Sequence, residues 1–129
     1  MSKRKSLRRK NLRPVMLAMY DEEGFLDAHE VQPRAEQGKF VLVDTYDGWR
    51  IFHRPSGLRL PAAFRTVEFA EEVLRHLPEP NGSFPSCLKA TRESARHHLD
   101  RVPENEKERY IAVFRSMGMT RRGSTWAQW

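Results

Sequence analysis

The sequence predicts an α+β domain, and three features carry that expectation. The run Phe40–Val43, the turn pair Asp47-Gly48 and an alternating segment from Trp49 onward mark an antiparallel hairpin. Directly after it, Val67, Ala70, Val73, Leu74 and Leu77 recur at helical spacing. Two more helical patterns follow towards the C-terminus. Together they describe a three- or four-stranded antiparallel sheet packed on a helix at about residues 66–77, with two C-terminal helices completing the core.

Taken in order, residues 1–13 (MSKRKSLRRKNLR) hold seven cations and no acid, so like-charge repulsion keeps them an extended, flexible arm. Val15–Tyr20 reads as a strand, preceded by Pro14 and closed by the turn-like Asp21-Glu22-Glu23-Gly24. Residues 25–38 fit either a short helix or a loop, broken by Pro33 and Gly38. After the hairpin, Pro55-Ser56-Gly57 makes a second turn and Leu58-Arg59-Leu60 a third short strand, ended by Pro61. Thr66 is placed to cap the following helix, Glu68 suits its positive end, and Pro78 stops it. A loop over 78–85 leads to a second helix from Ser86 to about Arg101, with Leu88, Ala95, Leu99 and Val102 on its apolar face. Pro103 opens a third helix, Tyr110, Ile111, Val113, Phe114 and Met117 form its apolar face, and Gly118 ends it. The boundaries are therefore an arm over 1–13, a single domain over 14–118 and a tryptophan-bearing tail over 119–129.

Charge is concentrated rather than spread. The chain holds 23 Lys and Arg against 17 Asp and Glu, but 14–129 alone hold 16 against 17. The basic isoelectric point, about 9.9, thus belongs largely to the arm, and it argues for an acidic partner such as nucleic acid. The single cysteine, Cys87, excludes an intrachain disulfide and suits a reducing, cytoplasmic setting. The six apolar residues Val15–Tyr20 are too few for the roughly 7–15 of a secretory apolar region or the ~20 that cross a bilayer. A soluble protein with no membrane partner is expected.

Between residues 49 and 74, Trp49, Ile51, Gly57, Arg59, Phe64, Thr66, Glu68 and Ala70 fall in an order that resembles the AP2-type DNA-binding domain and the related arm-binding domains of phage integrases. The resemblance covers about a fifth to a third of the chain. It implies three antiparallel strands on one helix, with the sheet entering the DNA major groove and Trp49, Arg50, Arg54 and Arg59 facing DNA. Pro61-Ala62-Ala63 departs from the family's small Leu-Gly step.

The candidate binding residues follow from charge and pattern. In the arm they are Lys3, Arg4, Lys5, Arg8, Arg9, Lys10 and Arg13, which can neutralise several phosphates and release counterions. In the hairpin, arginines alternate with aromatics, a pattern that serves phosphate contact and base stacking. The same alternation also fits a core face of Trp49, Ile51 and His53 backed by a solvated face of Arg50, Phe52 and Arg54. On the second helix Lys89, Arg92 and Arg96 form one stripe that could follow a phosphate backbone or simply meet solvent.

Catalysis finds little foothold. His29, His53, His76, His97 and His98 show no metal-ligand spacing. Cys87 near His97 and His98 is more simply structural. No phosphate loop or nucleophile elbow is present. The expectation is a non-catalytic nucleic-acid-binding protein with no cofactor, no metal and no small-molecule substrate, suited to a regulator or accessory factor of a phage or mobile element. The alternative is a protein-interaction module or inhibitor anchored by Trp126 and Trp129, tryptophan being an enriched anchor at interfaces.

Overall fold

Antiparallel pairing dominates the computed structural model, which describes residues 12–20, 26–55, 57–78 and 104–127. Strands β1 (Val15–Tyr20) and β2 (Leu26–Val31) form one hairpin, in register from Val15 opposite Val31 to Tyr20 opposite Leu26. Strands β3 (Ala35–Gln37), β4 (Phe40–Thr45), β5 (Gly48–His53) and β6 (Leu58–Arg59) form a four-stranded sheet in sequential order. Helix α1 spans Val67–His76 and helix α2 spans Glu104–Ser116. Two short strands, β7 (Ala62–Ala63) and β8 (Thr125–Trp126), pair with each other.

The α+β class and the antiparallel hairpin at Asp47-Gly48 match the sequence expectation. The two-residue turn Tyr46-Asp47 joins β4 to β5, and Gly48 follows it at φ 124°. A Cβ there would meet the Phe64 carbonyl oxygen at 2.9 Å, so both the backbone angle and the close approach demand glycine. Thr66 caps α1 through its hydroxyl, which accepts from the Phe69 amide at 3.3 Å. The segment 25–38, which fitted helix or loop, holds β2 and β3 instead. β3 was hidden because its Glu36 and Gln37 are polar yet buried. The second helix expected over Ser86–Arg101 lies outside the described residues.

Both faces of the four-stranded sheet are covered. Strand alternation sends Phe40, Leu42 and Ile51 to one face, where they join Phe64, Phe69, Val73 and Leu74 and the α2 residues Tyr110 and Phe114. It sends Val41, Val43 and Phe52 to the other face, where Val15 and Leu17 of β1 close over them, with Met19 and Val31 packed alongside. The molecule is therefore layered as helices, sheet and hairpin.

The free edge of β5 continues past β6. The Leu60 amide donates to the Ile51 carbonyl at 2.8 Å, and Trp49 and Phe64 exchange both backbone hydrogen bonds. Between these contacts Pro61-Ala62-Ala63 leaves the β5 ladder, stays buried and makes β7.

The tail over 119–127 is part of the fold. Helix α2 ends with Gly118 at φ 65°. The Gly118 amide reaches the Arg115 carbonyl and the Met119 amide reaches the Phe114 carbonyl, at 3.0 and 3.3 Å. This is a Schellman termination. The same pair of bonds recurs five residues on, from Gly123 to Thr120 and from Ser124 to Met119, with Gly123 at φ 80°. These two glycine-closed turns bring β8 back beside β7. Met119 is 1% exposed within the core, so the boundary expected at residue 119 is not a boundary of packing.

Candidate nucleic-acid interface

The basic arm joins the body at a fixed point. Leu12 is buried, and its carbonyl accepts a 2.9 Å hydrogen bond from Gln32 Nε2. Arg13 follows in the open. It lines a cleft of about 260 Å³ whose walls include Val15, Pro33, Glu36 and Arg54. Arg13 and Arg54, separate in the sequence, thus share one surface depression. Arg54 is exposed, with Nη1 donating to Glu36 Oε1, so part of its charge is already answered.

Arg50 corrects the sequence reading. It was expected to face DNA or solvent, but its side chain is 1% exposed, enclosed on the sheet face that the β1–β2 hairpin covers. Its Nη1 donates to Asp47 Oδ2 at 2.9 Å and its Nη2 to the Leu60 carbonyl at 2.9 Å. Burial, with neighbouring Arg59, pulls its pKa down to about 10 against the pull of Asp47, which leaves it charged at neutral pH. Burial pushes the Asp47 carboxyl up, but the Thr45 hydroxyl at 2.6 Å and the Arg50 charge outweigh it and hold Asp47 below its ordinary value. This cluster ties the turn at the end of β4 and β5 to the edge at Leu60. It is a fastening of the hairpin, and its guanidinium offers nothing to a groove.

The remaining hairpin residues divide. Trp49 is half-buried and packs against the helix-side core. Arg59 is half-buried and lines a small notch with Tyr46, Asp47 and Arg50. Tyr46, at the hairpin tip, is 90% exposed. Trp126 on β8 packs on Phe114, with ring centroids 6.2 Å apart, yet stays 42% exposed. Lys3, Arg4, Lys5, Arg8, Arg9, Lys10, Lys89, Arg92, Arg96 and Trp129 lie outside the described residues, as do Cys87, His97 and His98.

His53 stands on the helix-side face, 5% exposed and edge-on to Phe40 at 5.7 Å. Burial and Lys39 lower its pKa to about 4 against the opposing pull of Glu106, so it is neutral at physiological pH. Among the described residues no group of three or more His, Cys, Asp or Glu is arranged to hold a metal ion. No helix among them is long and apolar enough to cross a membrane.

Comparison with protein-family models, characterised proteins and solved structures finds no match.

One basic region escaped the sequence reading. No Asp or Glu follows Glu108, while Arg109, Arg115, Arg121 and Arg122 do. Acids earlier in 14–129 offset this segment, so the net charge of that whole stretch hides it. The fold gathers Arg115, Arg121 and Trp126 around a second depression, of about 360 Å³.

Proposed function

We propose that this chain is a non-catalytic nucleic-acid-binding protein whose N-terminal arm supplies sequence-independent affinity. The observation that carries this reading is the arm itself, with seven cations and no acid in thirteen residues. Arginine and lysine in such density displace the condensed counterions of a phosphate chain, and the release of those ions drives binding. The junction supports the same reading. Gln32 pins the arm's root at Leu12, and Arg13 opens into a cleft that Arg54 also lines, which extends the cationic track onto the folded surface. Phosphate contacts of this kind position a protein on a strand without reading its sequence. A regulator or accessory factor of a phage or mobile element fits such a binder.

The test is affinity for duplex DNA across a salt series. Five to seven phosphate contacts give a log–log slope of roughly −4 to −6. Replacing Lys3, Arg4, Lys5, Arg8, Arg9 and Lys10 together with Gln in the full chain should bring that slope to about −2, the share of Arg13 and Arg54. Arg54→Gln, which also removes one ion partner of Glu36, should weaken binding to all sequences alike. The half-exposed Trp126 favours a second reading, a protein-interaction module that blocks a partner enzyme or nucleoprotein complex. Absence of duplex binding at low salt, together with nuclease-resistant capture of a protein that Trp126→Ala abolishes, would replace the first reading with the second.

A further inference from the structure

We propose that the depression between the end of α2 and β8 binds one nucleotide unit of a single-stranded nucleic acid, its base on Trp126 and its phosphate between Arg115 and Arg121. The inference rests on the nucleic-acid reading for its class of ligand, but on different residues.

The site is assembled by the two glycine-closed turns. The first ends α2 immediately after Arg115 and Ser116, and the second turns the chain at Thr120 to Gly123 before β8 presents Trp126. Arg115, Ser116, Thr120, Arg121 and Trp126 all line the depression, whose volume of about 360 Å³ falls within the range of small-ligand sites. The helix end would ordinarily repel an anion through its exposed carbonyls. Here the Schellman bonds occupy the Phe114 and Arg115 carbonyls, which blunts that field.

Each side chain offers what a nucleotide needs. The guanidinium of Arg115 sits over the Trp126 ring, 5.7 Å from its centroid. That contact holds the indole, while the N–H edge of the guanidinium can still point at a phosphate. Among the described residues neither Arg115 nor Arg121 has a carboxylate partner. Arg122 differs: it bonds Glu72 at 2.9 Å and lies 3.9 Å over the Phe69 ring, so it acts as a structural clasp. Ser116 and Thr120 also line the wall, Ser116 with its hydroxyl donated to the Val113 carbonyl at 2.8 Å. An indole that is 42% exposed and flanked by cations offers surface on which a base can stack, whatever the base. A base inside a duplex is already stacked, so an indole that binds by stacking selects single strands, loops or frayed ends.

The experiment titrates the full chain with a twelve-nucleotide oligothymidylate and, separately, with a DNA duplex, reading tryptophan fluorescence and affinity. The single strand should quench the fluorescence. Trp126→Leu should abolish most of that quenching and weaken single-strand affinity about 5- to 150-fold, with duplex affinity unchanged. Arg121→Gln, on an exposed turn, should keep the quenching and reduce the single-strand salt slope by about 0.7. It serves as the reporter if Trp126→Leu lowers the melting temperature. Unchanged single-strand affinity in Trp126→Leu, or an unchanged slope in Arg121→Gln, overturns the proposal while leaving the arm reading standing. Conversely, neutralising the arm should strongly weaken duplex binding and keep the single-strand quenching. If the intact chain quenches with the single strand but never binds duplex, the arm reading fails and this site stands. Variants that lose only the capture of a protein, and none of the single-strand binding, also overturn it.

Discussion

The two faces of the central sheet are made by the same strands and buried by different means. On the helix side, Phe40, Leu42 and Ile51 meet a broad aromatic core in which Phe64 packs edge-on against both Phe69 and Phe114 at 5.8 and 5.6 Å. On the hairpin side, Val41, Val43 and Phe52 meet a narrower patch from β1 and β2, and Arg50 lies on that same face. A helix pair buries a wide stripe of side chains, whereas a two-stranded hairpin brings a few. The difference teaches that burial of a sheet face and its apolarity are separate matters. The thinner cover leaves room for a charged group, provided its hydrogen bonds are met from the backbone and a neighbouring carboxylate.

The largest expected effect is on the helix side. Phe64→Ala should cost about 3–5 kcal/mol in chemical denaturation, because Phe64 is fully buried among rings that cannot collapse into the space. Phe52→Ala, under the hairpin, should cost less. An equal or larger loss at Phe52 would break the contrast between the faces.

Next comes the pH response of the helix side. His53 has a pKa of about 4 in the fold against about 6.5 in an unfolded chain. Above pH 6.5 it is neutral in both states and its site is at full stability. As pH falls from 6.5 to 4 the unfolded chain takes up the proton first, so up to about 3 kcal/mol should be lost across that window. Unfolding free energies at pH 7 and pH 4.5 measure it, and His53→Gln should flatten the difference. Asp47 stays ionised below the ordinary carboxylate range, so its contribution should be lost only at lower pH.

The smallest effect is expected at the hairpin-side charge. Replacing Arg50 by Met together with Asp47 by Asn removes both partners of the ion pair and leaves the Leu60 carbonyl without its guanidinium donor. The expected cost is about 1–3 kcal/mol. DNA affinity should be unchanged, since Arg50 is enclosed. A selective loss of affinity with intact stability would show that the hairpin lifts to expose it.

Much of the fold was legible from local chemistry. The Asp47-Gly48 turn, the Thr66 cap, the helical period from Val67 and the stop at Gly118 each depend on residues within one or two turns of one another. β3 was not legible, because Glu36 and Gln37 fit a helix or a loop until Arg54, 18 positions from Glu36, supplies it with an ion partner. Strands of two residues, such as β7 and β8, are too short to show any period. Of the candidate site, the arm was legible as charge. The cleft shared by Arg13 and Arg54 was not, nor was the gathering of Arg115, Arg121 and Trp126, because each joins residues distant along the chain.

The sequence by itself determined where the chain turns, which residues alternate and where positive charge accumulates, since backbone sterics, capping and composition act over a few residues. Only the tertiary structure decided that neither side of β5 meets solvent. Alternation divides Trp49, Ile51 and His53 from Arg50 and Phe52 but cannot say what lies over either group. The β1–β2 hairpin covers the second group, and that long-range packing makes Arg50 a buried fastening and leaves exposed arginines elsewhere, Arg13, Arg54, Arg115 and Arg121 among them.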